Sequence, residues 1–183
     1  MKKWIACMLV LAVCCSLFGC LAKTTAVERF LAATVKMDLS AMRAELIPEE
    51  TTGSFYRKLK NASLRDEAVS ALRDLYALVQ YTIGETTTQN GGKQTVAVTL
   101  KAPDMERIRS LIDAQMMVSG DSPEKILGDM LEDGQISGNM MKEYTVSVTM
   151  TESDGDWKIP WGDKENADFA KALALGEMID FMD

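Results

Sequence analysis

Lys142-Glu-Tyr-Thr-Val-Ser-Val-Thr-Met-Thr-Glu-Ser-Asp-Gly-Asp-Trp-Lys-Ile-Pro-Trp161 is the stretch whose reading decides the fold. Tyr144, Val146, Val148 and Met150 alternate with Thr145, Ser147, Thr149 and Thr151. A period of two sends the apolar set to one face of a strand and the hydroxyls to the other. Asp154-Gly155 tolerates positive φ and turns the chain, and Trp157, Ile159 and Trp161 resume the apolar set on a return strand. The pattern predicts a β-hairpin with one dry side, and a dry side needs a cover.

Working outward, a second hairpin precedes the first. Val79, Tyr81 and Ile83 alternate with Gln80 and Thr82 and, after a turn at Asn90-Gly91-Gly92, Val96, Val98 and Leu100 alternate with Thr95, Thr99 and Lys101 until Pro103 closes the strand. Between the hairpins, Asp104 is placed to cap a helix with Met105, Ile108, Ile112 and Met116 inward. Ser122-Pro123 opens another helix, with Ile126, Leu127, Met130 and Leu131 on its stripe and Gly134 at its end. Residues 104–138 thus read as a helical excursion from the sheet. Upstream, Thr25-x-x-Glu28 has the form of a capping box before Val27, Phe30, Leu31 and Val35. A break at Met37-Asp38 leads to a second short helix from Leu39 to Leu46, stopped by Pro48. Phe55 and Leu59 mark a further helical piece, and Ser63 is placed to cap a helix carrying Leu64, Ala68, Leu72 and Leu75. Asn166 to Asp183 reads as one closing helix that is apolar on most sides and so wants two neighbours. The sum is an α+β domain: N-terminal helices on a curved antiparallel sheet of four strands, a helical insertion between the hairpins and a C-terminal helix.

The first residues stand apart from this domain. Lys2 and Lys3 precede an apolar run from Trp4 to Phe18, the layout of a signal-peptide core and too short for a membrane span. Leu17-Phe18-Gly19-Cys20 resembles the lipobox of bacterial lipoproteins, which implies cleavage before Cys20 and a lipid-modified N-terminus there. The chain then divides into a leader over 1–19, lipidated Cys20 with a short tether over 20–24, and one domain over 25–183. A tether of four residues spans roughly 14 Å when extended, so the domain is expected close against the outer face of the cell membrane.

Composition narrows the chemistry. The four cysteines (Cys7, Cys14, Cys15, Cys20) all lie in the leader or at its end, and the sequence has no histidine. A mature chain with Cys20 acylated therefore has no Ser-His-Asp or Cys-His nucleophile, no His or thiolate metal site and no internal disulfide. Two of the 20 basic residues fall in the leader, leaving 18 against 27 acidic ones, a formal charge of −9. Such a balance disfavours nucleic acid and anionic headgroups, so membrane attachment is expected through acyl chains. Asp129, Glu132 and Asp133, and Asp154 with Asp156, lack the spacing of a calcium loop, and a solvated helix face and a turn explain them. No cofactor is expected.

The order Ala26-Val27-Glu28-Arg29-Phe30-Leu31, Val96 through Asp104, Lys142 through Val146 and Asp154 through Ile159 resembles a group of small lipoproteins, chiefly of Gram-positive bacteria, with a domain like nuclear transport factor two. The resemblance implies a cystatin-like cone with a pocket at its mouth and carries no agreed activity. A carboxylate isomerase in such a cone needs an inward acid, and none stands among the inward strand residues. The candidate ligand contacts are Tyr81, Tyr144, Trp157 and Trp161. Met105, Met116, Met117, Met130, Met140, Met141, Met178 and Met182 suit either an adaptable binding surface or gap-filling in the core.

The expected function is a non-enzymatic, membrane-tethered binding module of the cell envelope, holding an apolar ligand or a protein segment. The alternative is an envelope assembly protein that forms a homodimer through its C-terminal helix. The anchor has a direct test. Cys20→Ser is expected to move the folded domain into the soluble exported fraction, measured by fractionation and immunoblotting, whereas membrane retention of the variant contradicts anchoring by lipid at this residue.

Overall fold

The computed structural model describes residues 25–49, 51, 54–89 and 91–183. The leader, Cys20 and the tether, together with Asn90 of the first hairpin turn, lie outside the described residues. Among the described residues no helix is long and apolar enough to cross a membrane.

Helix α1 (Ala26–Val35) starts at Thr25, whose hydroxyl accepts the Glu28 N–H at 3.1 Å. The capping oxygen satisfies one of the donors that a helix start leaves unpaired. Met37 then takes φ 54°, and Asp38 caps α2 (Leu39–Ala44) by accepting the Ala41 N–H at 2.9 Å. Helix α3 (Phe55–Asn61) follows from its cap Ser54. Helix α4 (Asp66–Tyr76) corrects the expectation for Ser63: the N-cap position is Arg65, with no side-chain cap bond. Leu64 packs its half-buried side chain on the core just before the helix, and that contact, not a hydroxyl cap, holds its start. Asp66 and Glu67 in the first turn favour the helix dipole instead.

The sheet has the order β1-β2-β3-β4, with β1 (Gln80–Gln89), β2 (Lys93–Pro103), β3 (Met141–Ser153) and β4 (Asp156–Lys158), every pair antiparallel. Its register places the expected apolar rows side by side: Tyr81 beside Leu100 beside Tyr144, and Ile83 beside Val98 beside Val146. Val96, Val98, Leu100, Val148 and Met150 are at most 1% exposed, while Thr99, Thr145 and Ser147 on the opposite face are exposed. Asp154 and Gly155 take φ 54° and 82°, the positive values that a two-residue hairpin turn matched to strand twist requires. Between Ile83 and Thr86 the register slips. At Gly84 in that slip an added Cβ would stand 3.2 Å from Ala97, a tight approach that a side chain would crowd.

The excursion forms two helices, α5 (Met105–Ser119), capped by Asp104, and α6 (Pro123–Glu132). They reach back to the helical layer: α6 packs against α4, and the Arg65 guanidinium pairs with the carboxylate of Glu124, whose side chain is 5% exposed. Most of the methionines are core, since Met105, Met130, Met140, Met178 and Met182 are all buried. Met117, 87% exposed near the end of α5, is an exception, and Val118 beside it is 90% exposed.

Two expectations about the end of the chain are corrected. First, the return strand stops at Lys158, so Ile159 and Trp161 do not lie on it. Ile159 pairs instead with the chain after α2, donating its N–H to the Glu45 carbonyl (2.9 Å) and accepting the Ile47 N–H (3.1 Å) in a parallel bridge with Leu46. Second, the closing helix is two: α7 (Ala167–Leu173) and α8 (Leu175–Met182), broken at Ala174 with φ 47°. The left-handed residue costs an alanine roughly 1–2 kcal/mol. The break turns both apolar stripes inward, and Phe169, Ala172, Leu173, Leu175, Met178, Ile179 and Met182 are all buried within this chain. Most of the apolar side chains that motivated a dimer through this helix pack within the chain's own core, while Phe181 is half-buried.

One polar side chain joins the sheet to these helices. Asn166 is fully buried, accepts the Thr149 N–H through Oδ1 at 2.8 Å, and donates through Nδ2 to the Thr149 and Pro160 carbonyls at 3.0 Å each. Its amide thus presents β3 with the donor and acceptor that another strand residue would have supplied. Asn166→Ala leaves the buried Thr149 N–H and carbonyl unpaired, while the Pro160 carbonyl keeps the Asp163 N–H, and at 1–3 kcal/mol for such a group the loss is expected to total about 3 kcal/mol. Urea unfolding of the two proteins measures it, and a loss below about 1 kcal/mol contradicts this role.

Candidate ligand cleft

Because the chain leaves β4 after Lys158, Trp161 is carried away from the sheet and into an aromatic cluster. Its ring stacks on Phe55 (centroids 4.4 Å apart, planes 25° apart) and meets Phe30 at 5.1 Å and Phe169 at 5.6 Å. The four rings come from α1, α3, α7 and the segment after β4. Aromatic pairs at these separations add about 0.5–1.5 kcal/mol each beyond the area they bury. Phe30 and Phe169 are fully buried, and Phe55 and Trp161 present the cluster as a wall.

That wall bounds a hollow of about 780 Å³ between α3, the α7–α8 break and the loop at Glu49. The volume lies within the roughly 300–1,000 Å³ of ordinary ligand clefts. Two glycines shape it. A Cβ at Gly176 would stand 3.4 Å from the Phe55 ring, and one at Gly162 would stand 3.2 Å from Glu49 Oε2. The break at Ala174 supplies one side and is itself held from beneath, where the fully buried Tyr76 hydroxyl donates to the Leu173 carbonyl at 2.8 Å. Burial, reinforced by Glu177, holds the Tyr76 phenol far above its ordinary pKa, so it stays a neutral donor.

The rim carries charge of both signs. Lys58 pairs with Asp180, and Glu177 accepts from Arg109 Nη1 at 3.1 Å while the Arg109 guanidinium lies 5.3 Å over the Phe181 ring. Glu49 and Lys171 differ from these. Glu49 accepts the Thr51 hydroxyl at 2.9 Å, and among the described residues neither Glu49 nor Lys171 is in an ion pair.

Three smaller hollows adjoin this one, the first, of about 260 Å³, sharing Lys58 and extending past Arg57 and Asn61 to Ile179 and Asp183. A hollow of about 420 Å³ shares Glu49, Trp161 and Gly162 and extends past Pro160 to Lys93 and Thr151. Another of about 190 Å³ shares Lys171, Ala174 and Glu177 and extends to Tyr144, Asp104 and Lys142. At that end burial pushes the Asp104 carboxyl up, but the Lys142 ammonium at 2.8 Å and the Arg107 N–H outweigh it, so its pKa falls below the usual carboxylate value. The same hydrogen bond raises Lys142.

Of the four residues expected to contact a ligand, the structure brings Trp161 and Tyr144 to adjoining hollows and leaves two elsewhere. Trp157 lines a separate hollow of about 290 Å³ with Thr25, Ala26, Arg29 and Met150, beside the start of α1. Tyr81 sits on the sheet row of Leu100 and Tyr144, its phenol pKa raised by burial and by Glu28. Phe55, Glu49, Lys171 and the α7–α8 break were missed. Phe55 and Lys171 lie on helices whose partners only the tertiary fold reveals. Among the described residues no group of three or more His, Cys, Asp or Glu is placed to hold a metal ion.

No family model matches the chain. No curated protein matches it either. Among solved structures, a Bacillus subtilis protein classed as a lipoprotein (ycdA) is 18% identical, with 78% of this chain and 44% of that one covered and a TM-score of 0.38. The chain spans under half of that protein's length.

Proposed function

We propose that this chain is an extracytoplasmic binding module, fixed to the cell membrane by lipid at Cys20, that holds an amphipathic ligand or protein segment in the cleft beside Trp161. The observation that carries the reading is the stacked pair of half-buried Trp161 and buried Phe55 lining a hollow of about 780 Å³ with a charged rim. Aromatic walls bury large apolar area at low entropic cost, and a charged rim orients what enters. The lipobox-like Leu17-Phe18-Gly19-Cys20 supports the anchor, and the order of helices and hairpins supports kinship with lipoproteins of the nuclear-transport-factor-two type. The function is binding without catalysis. A mature chain with no histidine and no free thiol lacks the usual nucleophiles and bases, and the cleft carboxylates Glu49 and Glu177 are both exposed.

Binding and anchoring act together in this reading. With only four residues between Cys20 and Thr25, the cleft samples the layer just outside the membrane. Native mass spectrometry of the full chain extracted from its own membranes in mild detergent tests the site. The wild type is expected to carry a reproducible extra mass that Trp161→Ala lacks. An adduct retained by Trp161→Ala, or a wild type free of any adduct, contradicts the cleft as the binding site.

A further inference from the structure

Helix α5 carries a face that the fold leaves uncovered. Its inner side buries Met105, Ile108 and Ile112, but from Asp113 to Gly120 every residue except the half-buried Met116 is exposed. Among the described residues, the large apolar side chains that stand exposed all lie on this helix: Leu111, Met117 and Val118. Leu111, Ala114 and Val118 follow one another at spacings of three and four, and Arg107 stands four residues before Leu111. That spacing puts all four on one stripe, and the exposure of each puts the stripe on the solvent side, with Met117 at its flank. None of these residues lines the central hollow or the hollows beside it, so the surface is separate from the cleft.

The stripe is complementary to its own reverse. In an antiparallel pair of α5 helices crossing at Ala114, Leu111 of each copy meets Val118 of the other, and the small Ala114 side chains permit close approach. The exposed Arg107 of each copy then reaches the C-terminal end of the other helix, where α5 has no basic residue of its own and Asp121 follows. That end carries the negative pole of the helix dipole, so a cation is favoured there. Parallel pairing sets Arg107 against Arg107 and loses both contacts. A membrane surface is a poorer match. The last two turns of α5 carry no Lys or Arg, Asp113 lies one turn before Met117, and Asp121 stands just past the helix end.

We propose that α5 is a self-association surface on which two copies of this chain pair as antiparallel helices about a two-fold axis at Ala114. One helix face falls short of the roughly 1,200 Å² that stable interfaces bury, so the pair is weak and is best read by covalent capture.

Photo-crosslinking in intact cells producing the full chain tests this, with p-benzoylphenylalanine in place of Met117, a side chain already in water. Irradiation is expected to give a covalent dimer whose linked peptides, identified by mass spectrometry, join position 117 to α5 of a second copy. Val118→Asp, a change of an exposed side chain, is expected to reduce the dimer about tenfold or more. Arg107→Asp sets like charges together at both ends of the pair and is expected to reduce it about three- to tenfold. Adding Asp121→Arg is expected to restore it, a rescue that loss of folding does not give. A link to a different protein, a link to a part of the second copy outside α5, or no crosslinked species overturns the pairing. A dimer that Val118→Asp leaves unchanged also overturns it, and a charge reversal without rescue overturns the antiparallel order.

Discussion

Pro160 has no N–H, so the chain after β4 cannot continue a ladder along β3, and the Thr149 backbone would face that gap unpaired. Asn166 closes it by offering Thr149 a donor and an acceptor from one buried side-chain amide. The consequences spread in both directions along the chain. Upstream, the segment from Ile159 is free to pair with the turn after α2, which binds the N-terminal helices to the sheet edge. Downstream, α7 begins at the residue after Asn166, so its position on the sheet is set by that amide.

The cleft inherits its geometry from this junction. Trp161 lies between Pro160, whose carbonyl Asn166 also binds, and α7, whose Phe169 meets the Trp161 ring edge-on. The break at Ala174 then sets the angle of α8 and places Gly176 against Phe55. An apolar helix that would otherwise need a second partner is folded back on its own core. The same break gives the cleft a side wall. Core economy and site shape are two results of one backbone bend.

The sheet was legible in the sequence because its signal is local. Alternation at Val96-Val98-Leu100 and Tyr144-Val146-Val148-Met150, the Asp154-Gly155 turn and the caps at Thr25 and Asp104 each depend on neighbours a few residues away. All of them appear as read. The rest depends on contacts far apart in the chain. Asn166 reads as an ordinary polar helix start, and nothing nearby reveals that it pairs with Thr149, 17 residues earlier. Ala174 has neither glycine nor proline to announce a break; the Leu173 carbonyl is met by Tyr76, 97 residues away. Trp161 continued the apolar alternation formally, yet Pro160 before it was a sign that the strand had ended. Trp161 was named as a contact from its type and place in the pattern, but its neighbours Phe55 and Lys171 required the fold.

At Thr149 a side-chain amide stands in for a missing strand. Amide hydrogen exchange of the full chain, followed at single-residue resolution by NMR, tests it most directly. The Thr149 N–H is expected to exchange as slowly as the paired amides in the middle of β3, although among the described residues no strand pairs with it on that side. Exchange of Thr149 at the rate of the open β1 edge, with its β3 neighbours protected, would contradict it.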